Sequence, residues 1–554
     1  MTPEQLSEAL VSALSALVER GEITLPEGVP SAVRVERPKQ REHGDYATNV
    51  ALQLAKKAGQ NPRDFAQLLA EEIANADGVA SAEVAGPGFL NLRVEAGAQG
   101  EVAAQVVTAG DAYGRSKAFG GRTVDLEFIS ANPTGPLHIG HTRWAAVGDA
   151  MGRVLSAAGA NVTSEFYTND RGTQMDNFGA SLMASAHGEP TPEDGYHGEY
   201  IAELAQQIVD ADPAITSLPR DEQLVAFREA GYERQQAEQR EQLDGFRTHF
   251  DVWFSERSLH DSGAVEHGLD VLKQQGHIFE ADGAKWMRTT EFGDDKDRVL
   301  VRSNGDYTYF ASDTAYYVNK RERGFDLCIY LLGADHHGYV GRLKAMAACA
   351  GDDPGENLQV LIGQLVKILK DGQELKLSKR AGTLVTLQEL VDLIGVDSLR
   401  YSLIRYPVDS PLTLDVDEIT RQASDNPVFY VQYAHARLSS ILRNASDLDL
   451  TVDPRTFDAF LLVHEREGNL LRALAEFPRV VAKAAELREP HRVARYLEDT
   501  ASTFHKFYDD CRVLPMGDEH ASDLHRARLM LVAATRVVIR NGLDLLGVSA
   551  PERM

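Results

Sequence analysis

The sequence predicts an α/β fold built on a parallel sheet, with a small α+β module before it and a bundle of α-helices after it. Residues 123–130 alternate apolar and polar side chains as a strand does, and residues 141–160 have the composition and spacing of a helix. Residues 161–170 read as the next strand, so these three segments predict a βαβ unit. Residues 426–554 lack strand alternation and predict helices.

The chain divides into four predicted regions, because 554 residues exceed what one hydrophobic core organises. Residues 1–112 are predicted to form the α+β module, which begins with an amphipathic helix. Residues 113–365 carry the alternation of strands and helices, interrupted by a polar, mainly helical insertion at about 170–290. Residues 366–425 connect this sheet domain to the helical region.

The composition is typical of a globular protein in a reducing compartment. Apolar residues make up 43% and charged residues 25% of the chain, both ordinary values. Cys328, Cys349 and Cys511 lie far apart, without the paired spacing of a zinc site or a disulfide framework. The N-terminus has no basic leader, and no apolar run is long enough to span a bilayer. We therefore expect a cytoplasmic protein with no membrane partner.

The formal net charge of −26 argues at first against a nucleic-acid partner. The charge is unevenly distributed, however: residues 426–554 contain 17 Lys+Arg and 18 Asp+Glu, which leaves −25 for the preceding 425 residues. Arginines recur in this near-neutral segment at helical spacings, beside Tyr496, Phe504, Phe507 and Tyr508. Such faces could hold an RNA loop through phosphate contacts and base stacking. A solvated helix face above buried aromatic side chains is the equally supported alternative. The arginines are Arg488, Arg492, Arg495, Arg526, Arg528, Arg536 and Arg540.

The turn between the first strand and helix of the βαβ unit reads ANPTGPLHIGH, residues 131–141. It places His138 and His141 at the helix N-terminus, where free backbone N–H groups and the helix dipole favour phosphate. Far downstream, the string KLSKR places Lys376 and Lys379 on a loop. Imidazole and ammonium groups in such places can hold a nucleoside triphosphate while its α-phosphate is attacked. Structural histidines that cap a helix are the alternative.

Together the two blocks resemble the two signatures of class I aminoacyl-tRNA synthetases, and the strings around them resemble arginyl-tRNA synthetases most. Further strings similar to this family are HGDYATNVA from His43, GVDSLRYSL from Gly395, DNPVFYVQYAHARLSSI from Asp425 and the C-terminal GVSAPERM. Ser398 stands where the family usually has alanine. The resemblance covers nearly the whole chain. It implies a class I Rossmann-type sheet, an N-terminal module that contacts tRNA, and a helical anticodon-binding domain.

The resemblance also implies the reaction and its partners. The expected activity is ligation of L-arginine to tRNA(Arg) through an arginyl-adenylate, with release of AMP and pyrophosphate. We expect ATP with Mg²⁺ as its counterion, no zinc, no organic cofactor, no resident metal and a monomeric enzyme. Because the attacking carboxylate is already a nucleophile, this chemistry needs positioning and charge stabilisation rather than a general base.

The candidate site residues form four groups. The catalytic group is His138, His141, Lys376 and Lys379. The ATP-binding group adds Gly140, Gly333, Asp335, His336, His337 and Ser378. The arginine-binding group is Glu127, Ser130, Asn132, Tyr309 and Asp313, with Glu256 as a possible second carboxylate. By resemblance, Tyr309 and Asp313 address the guanidinium, whereas Ser130 and Asn132 bind the α-ammonium or carboxylate. The tRNA-binding group is Tyr430, Arg492, Arg495, Arg536 and Arg540. For each acid the alternative is a surface salt bridge or a helix cap.

Two other classes of function remain open at this point. Small adenylyltransferases that transfer AMP to a coenzyme precursor also use a His-x-Gly-His turn, but they rarely end in some 130 helical residues. A catalytically silent tRNA-binding relative is the second alternative, and the presence of His138, His141, Lys376, Lys379, Asn132 and Asp313 speaks against it. Among synthetases, the lack of cysteine zinc ligands weakens a cysteinyl specificity.

Overall fold

The computed structural model describes residues 1–38, 40, 43–375 and 385–554. The chain begins with α1 (Pro3–Glu19), β1 (Tyr46–Thr48), α2 (Val50–Leu54), α3 (Pro62–Ile73), β2 (Val79–Ala85) and β3 (Phe89–Val94). The strands form an antiparallel sheet in the order β1-β3-β2. Helix α1 begins at Pro3 because the Thr2 hydroxyl accepts a hydrogen bond from the N–H of Gln5. The side-chain oxygen of Gln5 in turn accepts one from the N–H of Thr2. An apolar core that includes Leu10 and Phe65 joins these elements.

The next elements run from Ala96 to Gly363. In chain order they are α4 (Ala96–Ala109), β4 (Thr123–Glu127), α5 (Ile139–Ala157), β5 (Asn161–Thr168), α6 (Thr173–Ala186), α7 (Glu199–Ala211), α8 (Arg220–Gly245), β6 (Val252–Ser255), α9 (Glu256–Asp261), α10 (Ala264–Gln274), β7 (Ile278–Ala281), β8 (Ala284–Met287), β9 (Arg298–Val301), α11 (Tyr309–Glu322), β10 (Leu327–Gly333), α12 (Val340–Cys349) and β11 (Leu358–Gly363).

The main sheet of the described residues is parallel, with strand order β11-β10-β4-β5-β6. The predicted βαβ unit is confirmed as β4, α5 and β5. Helix α5 lies close to the sheet at Gly148, where an added Cβ would come within 2.4 Å of the Phe128 ring. Only glycine fits this approach without movement of the ring.

Between β5 and β6, helices α6, α7 and α8 form a separate small bundle with its own apolar core, which includes Phe178 and Phe227. We call these three helices the helical insertion. The chain re-enters the main sheet at β6, inside the range predicted for the insertion. The sequence did not reveal this strand, because four residues are too few to show alternation. Strands β7, β8 and β9 form a separate antiparallel sheet.

The last elements are β12 (Val366–Lys370), β13 (Gln373–Glu374), α13 (Leu387–Ile394), α14 (Val396–Ile404), β14 (Leu412–Asp415), α15 (Val416–Ile419), α16 (Pro427–Ser446), α17 (Glu465–Ala475), α18 (Phe477–Leu487), α19 (His491–Asp510) and α20 (Asp523–Leu545). Strand β12 pairs with β13 and β14 in a three-stranded sheet. Helices α16 to α20 confirm the helical character predicted for residues 426–554.

One buried arginine joins the sheet domain to the C-terminal helices. Arg400 in α14 is fully buried and pairs with Asp149 of α5 at 2.5 Å. Its guanidinium also donates to the carbonyls of Phe246, 2.9 Å away, and Leu546, 3.1 Å away. Helix α4, in the range predicted for the N-terminal module, packs on α17 and α20. Among the described residues, no helix is long and apolar enough to cross a membrane.

Candidate active site

The two segments that carry most of the catalytic, ATP-binding and arginine-binding candidates leave the main sheet where its strand order reverses. From β4 the chain moves outward through β5 to β6, and β10 then adds on the other side of β4. In such sheets, ligands bind at the carboxyl ends of the strands beside this reversal. The turn after β4 leads to His138, and β10 ends at Gly333.

The histidines His138 and His141 form a close pair at the start of α5. His138 is the N-cap residue: its Nδ1 accepts a hydrogen bond from the N–H of Gly140 at 3.1 Å. The Nδ1 of His141 in turn accepts from the N–H of His138 at 3.3 Å, and the ring centroids lie 3.9 Å apart. Burial lowers the pKa of His138, and burial together with His138 lowers the pKa of His141 to about 3. Both rings are therefore neutral at pH 7 and carry their proton on Nε2.

The signature turn pairs with the chain that follows the second signature. His138 faces Thr386 in an isolated β-bridge, and the N–H of Ile139 donates to the carbonyl of Val385 at 2.9 Å. The chain that resumes at Val385, after the second signature, therefore lies beside the first signature. The candidate residues of the second signature lie outside the described residues, and they are Lys376, Ser378 and Lys379.

A largely apolar cavity of about 590 Å³ opens beside the start of α5. Gly140, Gly333 and Asp335 line it, so three of the ATP candidates meet in one place. The wall also contains Trp144 of α5, whose ring would be 2.6 Å from a Cβ at Gly363. Glycine at this strand end therefore leaves room for an indole wall.

The other two candidates after β10 point to different places. His336 lines a second cavity, which we call the acidic cavity, and its Nε2 lies 3.3 Å from a carboxylate oxygen of Asp335. His337 instead lines a groove between the sheet domain and α19, together with Arg492. The structure thus separates two histidines that are adjacent in sequence.

The acidic cavity has a volume of about 310 Å³ and brings together Glu127, Tyr309 and Asp313. The Tyr339 hydroxyl donates a hydrogen bond to Asp313. Burial, assisted by the charge of Glu127, raises the pKa of Asp313 to about 6. Tyr309 is 72% exposed at the cavity mouth, which is unusual for a tyrosine and leaves its ring free to contact a ligand.

Glu256 lies at the start of α9 and lines a smaller neighbouring cavity, about 180 Å³ in volume, which shares Tyr309 with the acidic cavity. Burial and the nearby charges of Asp313 and Asp170 raise the pKa of Glu256 to about 7. The three candidate carboxylates are therefore grouped around Tyr309. A cluster of this kind favours a cationic ligand, whose charge would ionise the carboxyls.

Ser130 and Asn132 lie in the chain that follows β4. The Ser130 hydroxyl donates to Glu127 at 2.9 Å and accepts from the N–H of Tyr167 at 3.2 Å. Ile129 and Ser130 have φ values of 68° and 46°, in the left-handed region. A β-branched residue rarely adopts such a φ, and each strained residue costs about 1–3 kcal/mol. The strand predicted to reach Ser130 ends at Glu127 for this reason.

A buried lysine behind the acidic cavity was not predicted from the sequence. Lys320 of α11 is fully buried, and its ammonium lies 2.6 Å from Asp125 and 2.7 Å from Glu127. Burial raises the pKa of Asp125 to about 7, although Lys320 opposes the rise. Lys320 is seven residues after Asp313 and therefore on the same helix face. That spacing predicts a shared helix face, but it does not show that the lysine meets Asp125 and Glu127 of β4. The lysine fixes the Glu127 carboxylate and offsets part of the negative charge of the cavity.

The tRNA candidates on α19 are exposed. Arg492 pairs with Glu489 at 2.5 Å, and Arg495 is exposed one turn further along. Tyr430 of α16 is half-buried, with its ring 5.1 Å from that of His505.

The candidates on α20 are partly engaged by acids. Arg540 pairs with Asp111, which precedes the sheet domain, and Arg536 lies 3.7 Å from Glu552. Both guanidinium groups are partly exposed, so they remain accessible to a phosphate.

For most of the aromatic residues in this region, the alternative of a buried position is correct. Tyr496, Phe504 and Phe507 are buried in the core. Arg528 pairs with the buried Glu467 at 2.7 Å and is structural. The helical period shows that side chains share a face but does not show which face is covered.

A different aromatic cluster is accessible on α16 and α19. Tyr433 is 42% exposed and stacks on Phe429, with ring centroids 6.2 Å apart. Arg437, one turn further along α16, lies 4.3 Å above the ring of Tyr508. The spacing of residues 429, 433 and 437 along one helix face was a signal for this cluster.

The strand-order reversal, the paired histidines at a helix N-terminus and the adjoining cavities define a class I aminoacyl-tRNA synthetase catalytic domain. Family profiles agree: "tRNA synthetases class I (R), catalytic domain" matches residues 103–399, "Arginyl tRNA synthetase N terminal domain" residues 4–94, and "DALR anticodon binding domain" residues 431–554. The chain belongs to the arginyl-tRNA synthetase family.

Relatives of similar length support this membership. An arginine–tRNA ligase of Renibacterium salmoninarum is 57% identical over 555 aligned positions, and one of Frankia alni is 57% identical over 554. Each alignment covers all of both chains. The solved structure of Thermus thermophilus arginyl-tRNA synthetase is 25% identical, with a TM-score of 0.74 and full coverage of both chains. Class I synthetases use ATP. The full-length match to arginine–tRNA ligases sets aside the alternative of a small adenylyltransferase.

Proposed function

We propose that this chain ligates L-arginine to tRNA(Arg) through an arginyl-adenylate, with release of AMP and pyrophosphate. The observation that carries the proposal is the meeting of two unlike cavities at the strand-order reversal. One is apolar and reached by the His138 turn, and the other is acidic and contains Asp313. An adenosine fits the chemistry of the first cavity, and a guanidinium fits that of the second.

In the first step, the arginine carboxylate attacks the α-phosphate of ATP and pyrophosphate leaves. His138 and His141, both neutral, donate from Nε2 to phosphate oxygens, and the hydrogen bonds at Nδ1 fix that tautomer. Lys376 and Lys379 supply positive charge to the β- and γ-phosphates, and Ser378 takes part in ATP binding. Charge stabilisation by positioned donors replaces a general base.

The roles of the cavity residues follow from their charge and position. Gly140, Gly333, Asp335 and His336 border the nucleotide. Magnesium enters with ATP as part of the substrate. Among the described residues, no group of three or more His, Cys, Asp or Glu side chains is arranged to hold a metal ion.

Arginine binds with its guanidinium between Asp313 and Tyr309, near Glu127 and Glu256. Ser130 and Asn132 hold its α-ammonium and carboxylate toward the nucleotide. A cation in this cavity is paired and desolvated, so a carboxylate lost from the set leaves it poorly compensated.

In the second step, the arginyl group passes to a ribose hydroxyl at the 3′ end of tRNA. Residues 1–112 contact the outer part of the tRNA, and residues 426–554 bind its anticodon arm through Tyr430, Arg492, Arg495, Arg536 and Arg540. The residues 366–425 connect this region to the catalytic domain of 113–365. The enzyme acts as a monomer in the cytoplasm, where its three buried free cysteines stay reduced.

Attachment of labelled arginine to a tRNA(Arg) transcript tests the proposal. We expect ATP-dependent charging with one AMP released for each arginine attached, and none with a tRNA of another specificity. Absence of charging by an enzyme that still binds ATP would contradict it.

A further inference from the structure

The helical insertion touches the signature turn at several separate atoms. Gln239 of α8 donates from Nε2 to the carbonyl of Asn132 at 3.0 Å and to that of Gly135 at 2.9 Å. The Tyr200 hydroxyl of α7 donates to the carbonyl of Thr134 at 3.0 Å. Three of the four backbone carbonyls between residues 132 and 135 are thus held by side chains from the insertion.

The third helix contributes a contact to a side chain. The amide of Asn132 donates to the side-chain oxygen of Gln174 in α6 at 2.8 Å. Each helix of the insertion therefore bonds to the turn that leads to His138. A tight turn without regular secondary structure has few internal hydrogen bonds, so external donors determine where it lies.

The sequence of α8 is unusual in a way that fits this role. At the positions where a packed helix carries apolar residues, it buries glutamines: Gln223 is 4%, Gln235 0%, Gln239 1% and Gln242 9% exposed. A buried amide costs free energy unless it is hydrogen-bonded. Of these four, Gln239 is the one that bonds to the signature turn.

We infer that Gln239 and Tyr200 are positioning residues for adenylate formation, which act by fixing the turn that sets the place of His138 against ATP. The inference rests on the proposed function and extends it, because it gives the helical insertion a part in the first chemical step. Displacement of a catalytic group by about 1 Å can lower a rate by about a hundredfold. Loss of the two Gln239 bonds, with Tyr200 still in place, should lower it by about tenfold.

The test compares Gln239→Met with Gln235→Met. Both glutamines are fully buried on α8, and among the described residues the Gln235 amide donates within its own helix, to Glu238 at 3.0 Å. In pyrophosphate exchange with arginine and tRNA(Arg), we expect kcat to fall about tenfold for Gln239→Met and less than twofold for Gln235→Met, with similar changes in Tm. Equal kcat values for the two variants would overturn the inference.

A double-mutant cycle separates positioning from a general defect. In a His138→Ala background, Gln239→Met should lower kcat by less than twofold, because the group that it positions is gone. A tenfold loss in both backgrounds would overturn the inference. If Gln239→Met does not fold, Tyr200→Phe replaces it, with Tyr196→Phe as control, since the Tyr196 ring packs on Phe178. We expect a loss of about threefold for Tyr200→Phe alone. An unchanged kcat there would also overturn the inference.

These variants distinguish a failure of the proposed function from a failure of the positioning role. If the wild-type enzyme and Gln235→Met do not charge tRNA(Arg), the proposed function is wrong. If both charge it and Gln239→Met does so equally well, only the positioning role is wrong.

Discussion

Replacement of Asp313 by Asn tests the recognition of arginine most directly. The substitution keeps the shape of the side chain and removes its charge, inside a cavity of about 310 Å³ that also contains Glu127. Burial raises the pKa of Asp313 to about 6, which is still below pH 7, so the substitution removes a negative charge.

The expected size follows from the surroundings. Removal of one partner from a buried, hydrogen-bonded charge pair costs about 2–5 kcal/mol. Glu127 and Glu256 remain near the guanidinium and supply part of the missing charge, which places the value at the lower end. A loss of about 2–3 kcal/mol corresponds to about 30- to 150-fold weaker arginine binding.

Titration calorimetry with arginine and with ATP measures the effect. Asp270→Asn is the matched control, because Asp270 is exposed on the neighbouring α10. We expect ATP affinity to be unchanged in both variants and arginine affinity to fall only for Asp313→Asn. Arginine binding within about twofold of wild type would refute the contact, and equal losses for both ligands would show a folding defect.

Three further predictions concern pH, catalysis and RNA. Glu256 and Asp313 have pKa values raised to about 7 and about 6, so they bind protons as the pH falls through those values and can no longer pair with a cation. Arginine affinity should therefore fall about 20-fold from pH 8 to pH 6. A flat pH profile of arginine affinity by calorimetry would count against both carboxyls. His141→Ala should lower kcat for adenylate formation about a hundredfold with a smaller change in the KM for arginine, so wild-type turnover would sink its assignment. Replacement of Arg492 and Arg495 by Ala should weaken tRNA binding and flatten its salt dependence, because fewer counterions are released; an unchanged slope in a salt series would exclude these phosphate contacts.

Much of the fold was predictable, because the periodic spacing of apolar residues in long segments identifies helices and strands. The alternation of 123–130 and the helical spacing of 141–160 gave β4 and α5 within a few residues. The strand ended early at Glu127 because Ile129 and Ser130 turn left-handed, and residue type does not signal that conformation. Periodicity does not show that β7, β8 and β9 form an antiparallel sheet separate from the main one.

The candidate site, like the fold, was predictable only in part. The motif predicted His138 and His141 at one helix N-terminus, and they lie together there. The resemblance predicted Asp313, Tyr309 and Glu127 as arginine-binding residues, and all three line one cavity. Contacts between elements distant in the chain were not predictable, as with Lys320 behind Glu127. Such contacts depend on which helix face meets the sheet, and a single sequence does not give that information.

Pyrophosphate exchange with each of the twenty amino acids, with and without tRNA(Arg), tests the central claim that the two cavities bring ATP and arginine together. We expect arginine alone among the twenty to support exchange, because the acidic cavity requires a guanidinium to pair with Asp313. Exchange that lysine or an uncharged amino acid supports as well as arginine does would contradict this account of the site.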